Sequence, residues 1–402
     1  MTRKKVGGRK RRWLRWTGVV LLVAGWLAAG QVLVRGDIEA WLNDTFDGKA
    51  RVRFVLLWPD LDATAFGVSV KGKSFDLRAR RTRVDLNAFG LFGDEPVEAV
   101  EVTGLTAHLV EGEPISLFRA DEASRPSGGA GDDILVPDLD PLQVPPLTFR
   151  DPRVVLRGET DTEVFSTTRV AVEQVGDRSF ELTAEPGMLA RIPFEKLTTR
   201  LIPRAGHVLL NDVKLRAFNG VIGGIVDIDT SSAGLINGDV ELHFVEVERL
   251  WETYALPYAE KRRGDLSGHI VFEGDRPAVS ALKGTGNVTL KRARFFSPLS
   301  FKVLVVMKVP AAEESMLTGG AMSFSFERSL LYVERGRFDA RGFDLAVQGI
   351  ISFDGAADLE IKHAGTTVSV SGKLEDPRIK VLPLNGLTAP FDRLFRERVR
   401  AR

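Results

Sequence analysis

Beyond residue 50 apolar and polar side chains alternate along most of the chain, most clearly between Ala321 and Leu382. Met322, Phe324 and Phe326 take alternate positions, as do Phe343, Leu345 and Val347. Ala357, Leu359 and Ile361 follow, then Val368 and Val370, then Ile379 and Val381, with Asp344, Glu360, Lys362, Ser369, Ser371 and Lys380 filling the gaps. A period of two sends alternate side chains to opposite sides of a strand, so each run predicts a strand with one apolar face. Turn chemistry at Arg335-Gly336, Asp354-Gly355, Ala364-Gly365 and Asp376-Pro377 is expected to separate the runs. The segment therefore reads as an antiparallel meander, greasy on one side and wet on the other. Something must cover the greasy side.

The same pattern recurs upstream. Val68 with Val70, Phe75 with Leu77, Val84 with Leu86, and Val100 with Val102 predict strands before residue 120. From Arg153 on, Val170/Val172, Phe180/Leu182, Val213/Leu215, Val226/Ile228, Val240/Leu242, Leu266/Ile270/Phe272 and Val288/Leu290 continue the array, with turn signals about every 8–12 residues. Helical spacing appears in three places. Ile38, Trp41, Leu42, Thr45 and Phe46 predict a short collar, and Leu250, Trp251, Tyr254 and Ala255 predict a helix ended by Pro257. Past Pro383, Phe391, Leu394, Phe395 and Val399 share a stripe flanked by Arg393, Arg396 and Arg398, which predicts a basic amphipathic helix. That helix suits either an anionic membrane surface or a cap on the last strand. Phe301–Val309 is a dense apolar run that periodicity leaves open between strand and buried helix.

Charge changes the picture at the N-terminus. The first fifteen residues hold eight basic side chains and no acidic one, and 55 Lys+Arg less these eight leaves 47 against 54 Asp+Glu. A mildly acidic body argues against nucleic acid as a partner. The nineteen residues from Trp16 to Val34 are uncharged, close to the ~20 that span a bilayer as a helix. With the basic cluster before the span, the expectation is a single-pass anchor, N-terminus cytoplasmic and body across the membrane. A cleaved signal ending near Ala28, Ala29 and Gly30 is the competing reading, and the length of the apolar run favours the anchor. Residues 120–152, rich in Gly, Ser and Pro, read as a flexible linker. The chain has no cysteine, which excludes disulfides and thiolate chemistry.

Candidate chemistry is sparse. Gly67, Gly72, Lys73 and Ser74 match the phosphate-loop spacing, but strand alternation follows where that loop requires a helix, so a hairpin is expected. Gly284 and Gly286 lack the third glycine of a dinucleotide fingerprint and read as a turn. His108, His207, His243, His269 and His363 are scattered and are expected to be satisfied surface groups rather than metal ligands. No nucleophile elbow is present. The expectation is a non-enzyme with no cofactor and no metal.

The order of features resembles the AsmA family (AsmA/TamB/YhdP-like), itself related to the bridge-like lipid transfer proteins. The resemblance lies in the basic tail, the span and the collar Ile38–Phe46. It continues through the strand Val100–Leu109, the run Gly220–Asp229, the glycine-punctuated strands at Gly264, Gly268, Gly284 and Gly286, and the closing Val368–Pro377. It covers residues 15–383. It implies a mainly β fold: one N-terminal transmembrane helix, then an elongated antiparallel sheet curled into a trough, with a few short helices. The layout it implies is a tail at 1–15, an anchor at 16–35, an N-terminal β region at 36–119, the linker at 120–152, a C-terminal trough at 153–383 and a tail helix at 384–402. It further implies an inner-membrane protein of a diderm bacterium, with a periplasmic body that carries phospholipid in envelope biogenesis. Phe324, Phe326, Phe343, Leu345, Val347, Leu359 and Ile361 would then contact acyl chains, and Phe391, Arg393, Leu394, Phe395 and Arg396 the membrane surface. Some twenty strands give a trough of only ~100 Å, so bridging two membranes calls for self-association or an envelope protein partner. A non-lipid scaffold for outer-membrane protein assembly, with the trough closed by protein, is the second reading, and an exported hydrolase the third.

Overall fold

Strands form where alternation predicts them. A computed structural model describes residues 35–58, 62–86, 97–110, 144–158, 161–176, 178–204, 207–229, 235–253, 262–275, 281–295, 317–340, 343–353, 355–373 and 377–382. These are mainly strand, with two helices among them. The span at 16–34, most of the linker, the run Phe301–Val309, and Phe391, Arg393, Leu394, Phe395 and Arg396 of the tail lie outside the described residues. Among the described residues no helix is long and apolar enough to cross a membrane. The chain divides into two compact units, one of residues Met1–Ala217 with Gly223–Ile236, the other of Phe218–Ile222 with Asn237–Arg402.

In the first unit the collar forms as helix α1 (Arg35–Thr45) and leads into β1 (Gly48–Leu57), β2 (Ala63–Gly72) and β3 (Phe75–Leu86), paired antiparallel in that order. Leu42 of α1 packs with Ala50, Val52, Val55, Ala65, Val70 and Phe75 in a buried cluster. The helix also completes the edge of β1. Glu39 Oε1 accepts from the Val52 amide at 2.6 Å and Asn43 Oδ1 from the Ala50 amide at 2.7 Å, which satisfies donors that an edge strand leaves open. The expected hairpin replaces the phosphate loop: Gly67 and Gly72 lie in β2, Lys73 and Ser74 make the turn, and Phe75 opens β3.

Beyond β3 the strands come as collinear halves. β4 (Val97–Thr103) and β5 (Thr106–Val110) share one edge of β3. β6 (Leu147–Arg150) and β7 (Arg153–Arg157) lie next, then β9 (Arg169–Gly176) beside β6 and β8 (Thr162–Thr167) beside β7. β10 (Ser179–Ala184) pairs with β9 and β11 (Gly187–Leu189) with β8. β12 (Ile192–Phe194) and β13 (Lys196–Arg204) extend these, and β14 (His207–Ala217) pairs with β13. A line of breaks crosses the halves at Gly104, Asp151, Thr168 and Glu185, stitched by Gly104 N→Arg150 O, Asp151 N→Thr168 O and Glu185 N→Arg169 O. The sheet is not purely antiparallel as expected, since β4–β6 and β5–β7 run parallel. Parallel partners need a long connection, and the chain between Val110 and Leu147 supplies one.

β15 (Gly220–Asp229) and β16 (Leu235–Glu246) cross the unit boundary, and helix α2 (Val247–Thr253) follows where Leu250 and Trp251 predict it. The second unit then runs β17 (Arg262–Asp275), β18 (Leu282–Phe295), β19 (Leu317–Glu327), β20 (Leu330–Ala340), β21 (Phe343–Ser352), β22 (Ala356–His363), β23 (Thr366–Lys373) and β24 (Arg378–Leu382). Each pairs antiparallel with the next, the meander that alternation predicts. One turn is misplaced in the sequence reading. Arg335-Gly336 lies inside β20, where the register shifts between Val333 and Gly336, and the turn before β20 uses Arg328 and Ser329 at φ 51° and 64°. Two residues at positive φ suit the right-handed twist of a tight hairpin, a role more often filled by Asn or Gly.

Candidate functional site

Antiparallel partners point to the same side of a sheet, so register identifies the faces of β17–β24. Phe272 is opposite Gly284, which is opposite Phe326, which is opposite Leu331. Leu331 continues to Ile351 and Ala357. A parallel row runs Ile270, Gly286, Phe324, Val333, Gly349, Leu359, Val370, Ile379. A third runs Gly336, Val347, Ile361, Val368, Val381. Between these rows lie His269, Thr285, Asn287, Ser323, Ser325, Gln348, Glu360, Lys362 and Ser369, which face the other side. One face is thus apolar over eight consecutive strands.

Six of the expected contact residues, Phe324, Phe326, Leu345, Val347, Leu359 and Ile361, fall on this face together. Leu345, Leu359 and Ile361 join Ala357, Val368 and Val370 in one buried cluster, with Phe338, Val347, Ile351 and Ile379 packed against it. Phe324 is 7% exposed and its ring lies 6.3 Å from that of Phe326. Phe343 opens β21 opposite Ala340. Coverage is uneven. Fully buried positions concentrate on β20–β23, with Leu331, Phe338, Val347 and Ile351 half-buried among them, whereas on β17–β19 Phe324 is buried and Leu266, Ile270, Phe272, Val288, Leu290, Met322 and Phe326 are half-buried. These positions alternate in the sequence too. They give a weaker signal because Gly268, Gly284, Gly286 and Gly320 interrupt the apolar rows.

Rings occupy the space over three of these glycines. A Cβ at Gly286 would stand 2.6 Å from Cζ of Phe324, and one at Gly284 2.8 Å from Cζ of Phe326. Phe272 covers Gly238 in the same way, and Phe338 covers Gly320. Each ring reaches over a glycine of the neighbouring strand, the pairing known to rescue glycines in sheets.

The histidines do not gather. His207 faces Asp227 at 3.5 Å, His243 faces Glu241 at 3.0 Å, His269 faces Asp239 at 2.5 Å and His363 contacts the Asp344 carbonyl at 2.8 Å. Among the described residues no group of three or more His, Asp or Glu side chains forms a metal site. On this polar side Arg337, hydrogen-bonded to Asp344 at 2.6 Å, is held above its ordinary value. No family model, curated protein or solved structure matches the chain.

Proposed function

We propose that the chain is an AsmA-like lipid-handling protein of the cell envelope, non-enzymatic and without a cofactor, in which the apolar face of β17–β24 holds phospholipid acyl chains. One observation carries the reading: an apolar face continuous over eight strands and only half-covered across β17–β19. A contiguous apolar face that the chain leaves partly uncovered marks a binding site. Phenylalanine rings set over Gly284 and Gly286 keep this stretch of the face apolar where side chains are missing. Headgroups would stay wet at its margin. The membrane anchor, the periplasmic placement and the curled trough belong to the same proposal and rest on the N-terminal charge pattern and the family resemblance.

The second reading, a scaffold for outer-membrane protein assembly, draws on β24. That strand pairs with β23 alone among the described residues, and Val381 is 53% and Leu382 38% exposed. Such an edge can accept a strand from another protein.

Adjacent residues on opposite faces provide the test. A photoreactive benzoylphenylalanine at Met322 of the full chain in its native membrane is expected to capture phospholipid, and one at Ser323 is not. Equal labelling at both positions, or none at 322 in a folded protein, sinks the lipid reading. Protein adducts from position 381 alone would favour the scaffold.

A further inference from the structure

The polar side of β1–β3 carries a cluster that the apolar face leaves unused, in the other compact unit. Register aligns Lys49, Lys71 and Asp76 in one row and Arg51, Ser69 and Arg78 in the next. These six side chains line a concavity of about 390 Å³, at the small end of the ~300–1,000 Å³ usual for ligand sites. Four cations face one carboxylate. That carboxylate is already engaged: Arg78 grips Asp76 with Nε on Oδ1 at 3.0 Å and Nη2 on Oδ2 at 2.6 Å, and Arg157 stands 3.8 Å away. The two lysines are left over. Lys49 and Lys71 are direct cross-strand partners, and neither has an ion pair among the described residues. Like charges placed opposite each other destabilise a sheet. Next along the row, His108 lies opposite Asp76, and its Nδ1 is buried with no hydrogen-bond partner among the described residues.

We propose that this concavity binds a phosphomonoester, with Lys49 and Lys71 contacting its oxygens. The charge argues for that class. A phosphomonoester carries about −1.5 to −2 near neutral pH, which matches two unpaired ammonium groups; a carboxylate or a phosphodiester supplies a single charge. Ser69, two residues before Lys71 on the same face, offers a hydroxyl donor, and Arg78, whose Nε and Nη2 are engaged by Asp76, keeps Nη1 for a further oxygen. The ligand would relieve the Lys49–Lys71 repulsion that the protein alone leaves standing. The phosphate comes either from a lipid headgroup or from a soluble compound. This proposal does not depend on the acyl-chain reading, because its residues lie on other strands and bind the opposite chemistry.

The test is titration calorimetry of the full chain in neutral detergent against inorganic phosphate, glycerol 3-phosphate and short-chain phosphatidic acid, with a short-chain fatty acid as a phosphate-free anion. At least one phosphorylated probe is expected to bind, weakening with salt, and Lys49→Gln with Lys71→Gln to weaken it at least tenfold, whereas Lys380→Gln leaves it unchanged. Binding of phosphatidic acid alone identifies a lipid headgroup; binding of the soluble phosphates identifies a soluble ligand. Lys49→Glu provides a variant that folds at least as well as the parent at low salt, since it pairs with Lys71, yet loses binding. The proposal fails if no phosphorylated probe binds, if the variants bind like the parent, or if the lysine substitutions weaken the fatty acid as much as the phosphorylated probes.

Discussion

At Gly286 the absence of a side chain is what positions Phe324. A valine there puts a branched Cβ into the ring, and overpacking of this kind costs about 1–3 kcal/mol, which urea unfolding would register. Gly223→Ala, where the nearest atom stands 3.4 Å from the added carbon, should be nearly silent. Glu39 is the other residue whose local chemistry sets a measurable property. Its carboxylate accepts from the Val52 amide, and this bond, helped by Arg35 at 3.2 Å and opposed by partial burial, lowers it from its ordinary value of 4.5. A depressed carboxylate stabilises the fold fully above its unfolded value and loses that contribution as pH falls through its folded value. Glu39→Ala is therefore expected to cost about 1 kcal/mol at pH 7. The gap to the parent should close as denaturation is repeated down to pH 3, and a constant gap would place its effect elsewhere than in the charge.

At the scale of the strand, the two faces of β22 make opposite predictions. Leu359 is 5% exposed within the cluster that holds Val368 and Val370. Leu359→Ala should cost about 2–5 kcal/mol through lost burial and a cavity. Lys362, exposed on the other face, should cost within about 0.5 kcal/mol when truncated. The contrast, read from chemical denaturation of the two variants, checks the face assignment without reference to any ligand. Leu345 and Ile361 are buried on the same face, so charges introduced there would unfold the unit before they emptied a groove. Half-buried Met322 and its neighbour Ser323 avoid that confusion.

Across the whole chain, alternation made the strands and the single apolar face legible, because burying one side of a sheet imposes period two on its sequence. The pairing of β4 with β6 and β5 with β7 was not legible. Which strands meet after a long connection is decided by packing, and no local pattern in Val100–Thr103 or Leu147–Arg150 records it. The closure of the β1 edge by Glu39 and Asn43 was hidden for the same reason, since two polar residues on a collar helix read as solvated. The apolar site was half legible. Leu345, Leu359 and Ile361 of its buried part and Phe324 and Phe326 on β19 were named from alternation, but its extension over β17 and β18 was obscured by Gly284 and Gly286, whose missing side chains are replaced by Phe326 and Phe324 from the next strand. The lysine cluster was overlooked because Lys49 and Lys71 are twenty-two residues apart and meet only through register.

The irregularity in β20 has a consequence for how the chain can change length. Met322 to Phe324 is a step of two, and so is Val347 to Gly349, whereas Val333 to Gly336, between them, is a step of three. Glu334 is thus a supernumerary residue against both neighbours, a frameshift that β20 absorbs in place. Deleting Glu334 should restore an uninterrupted pleat and leave each downstream side chain on its present face, so the variant should still unfold cooperatively. Deleting Gln348 one strand later should turn the rest of β21 over, apolar side outward, and abolish that transition in a thermal melt. Within this meander, single-residue length variation is tolerated where the reading frame of the pleat is already broken.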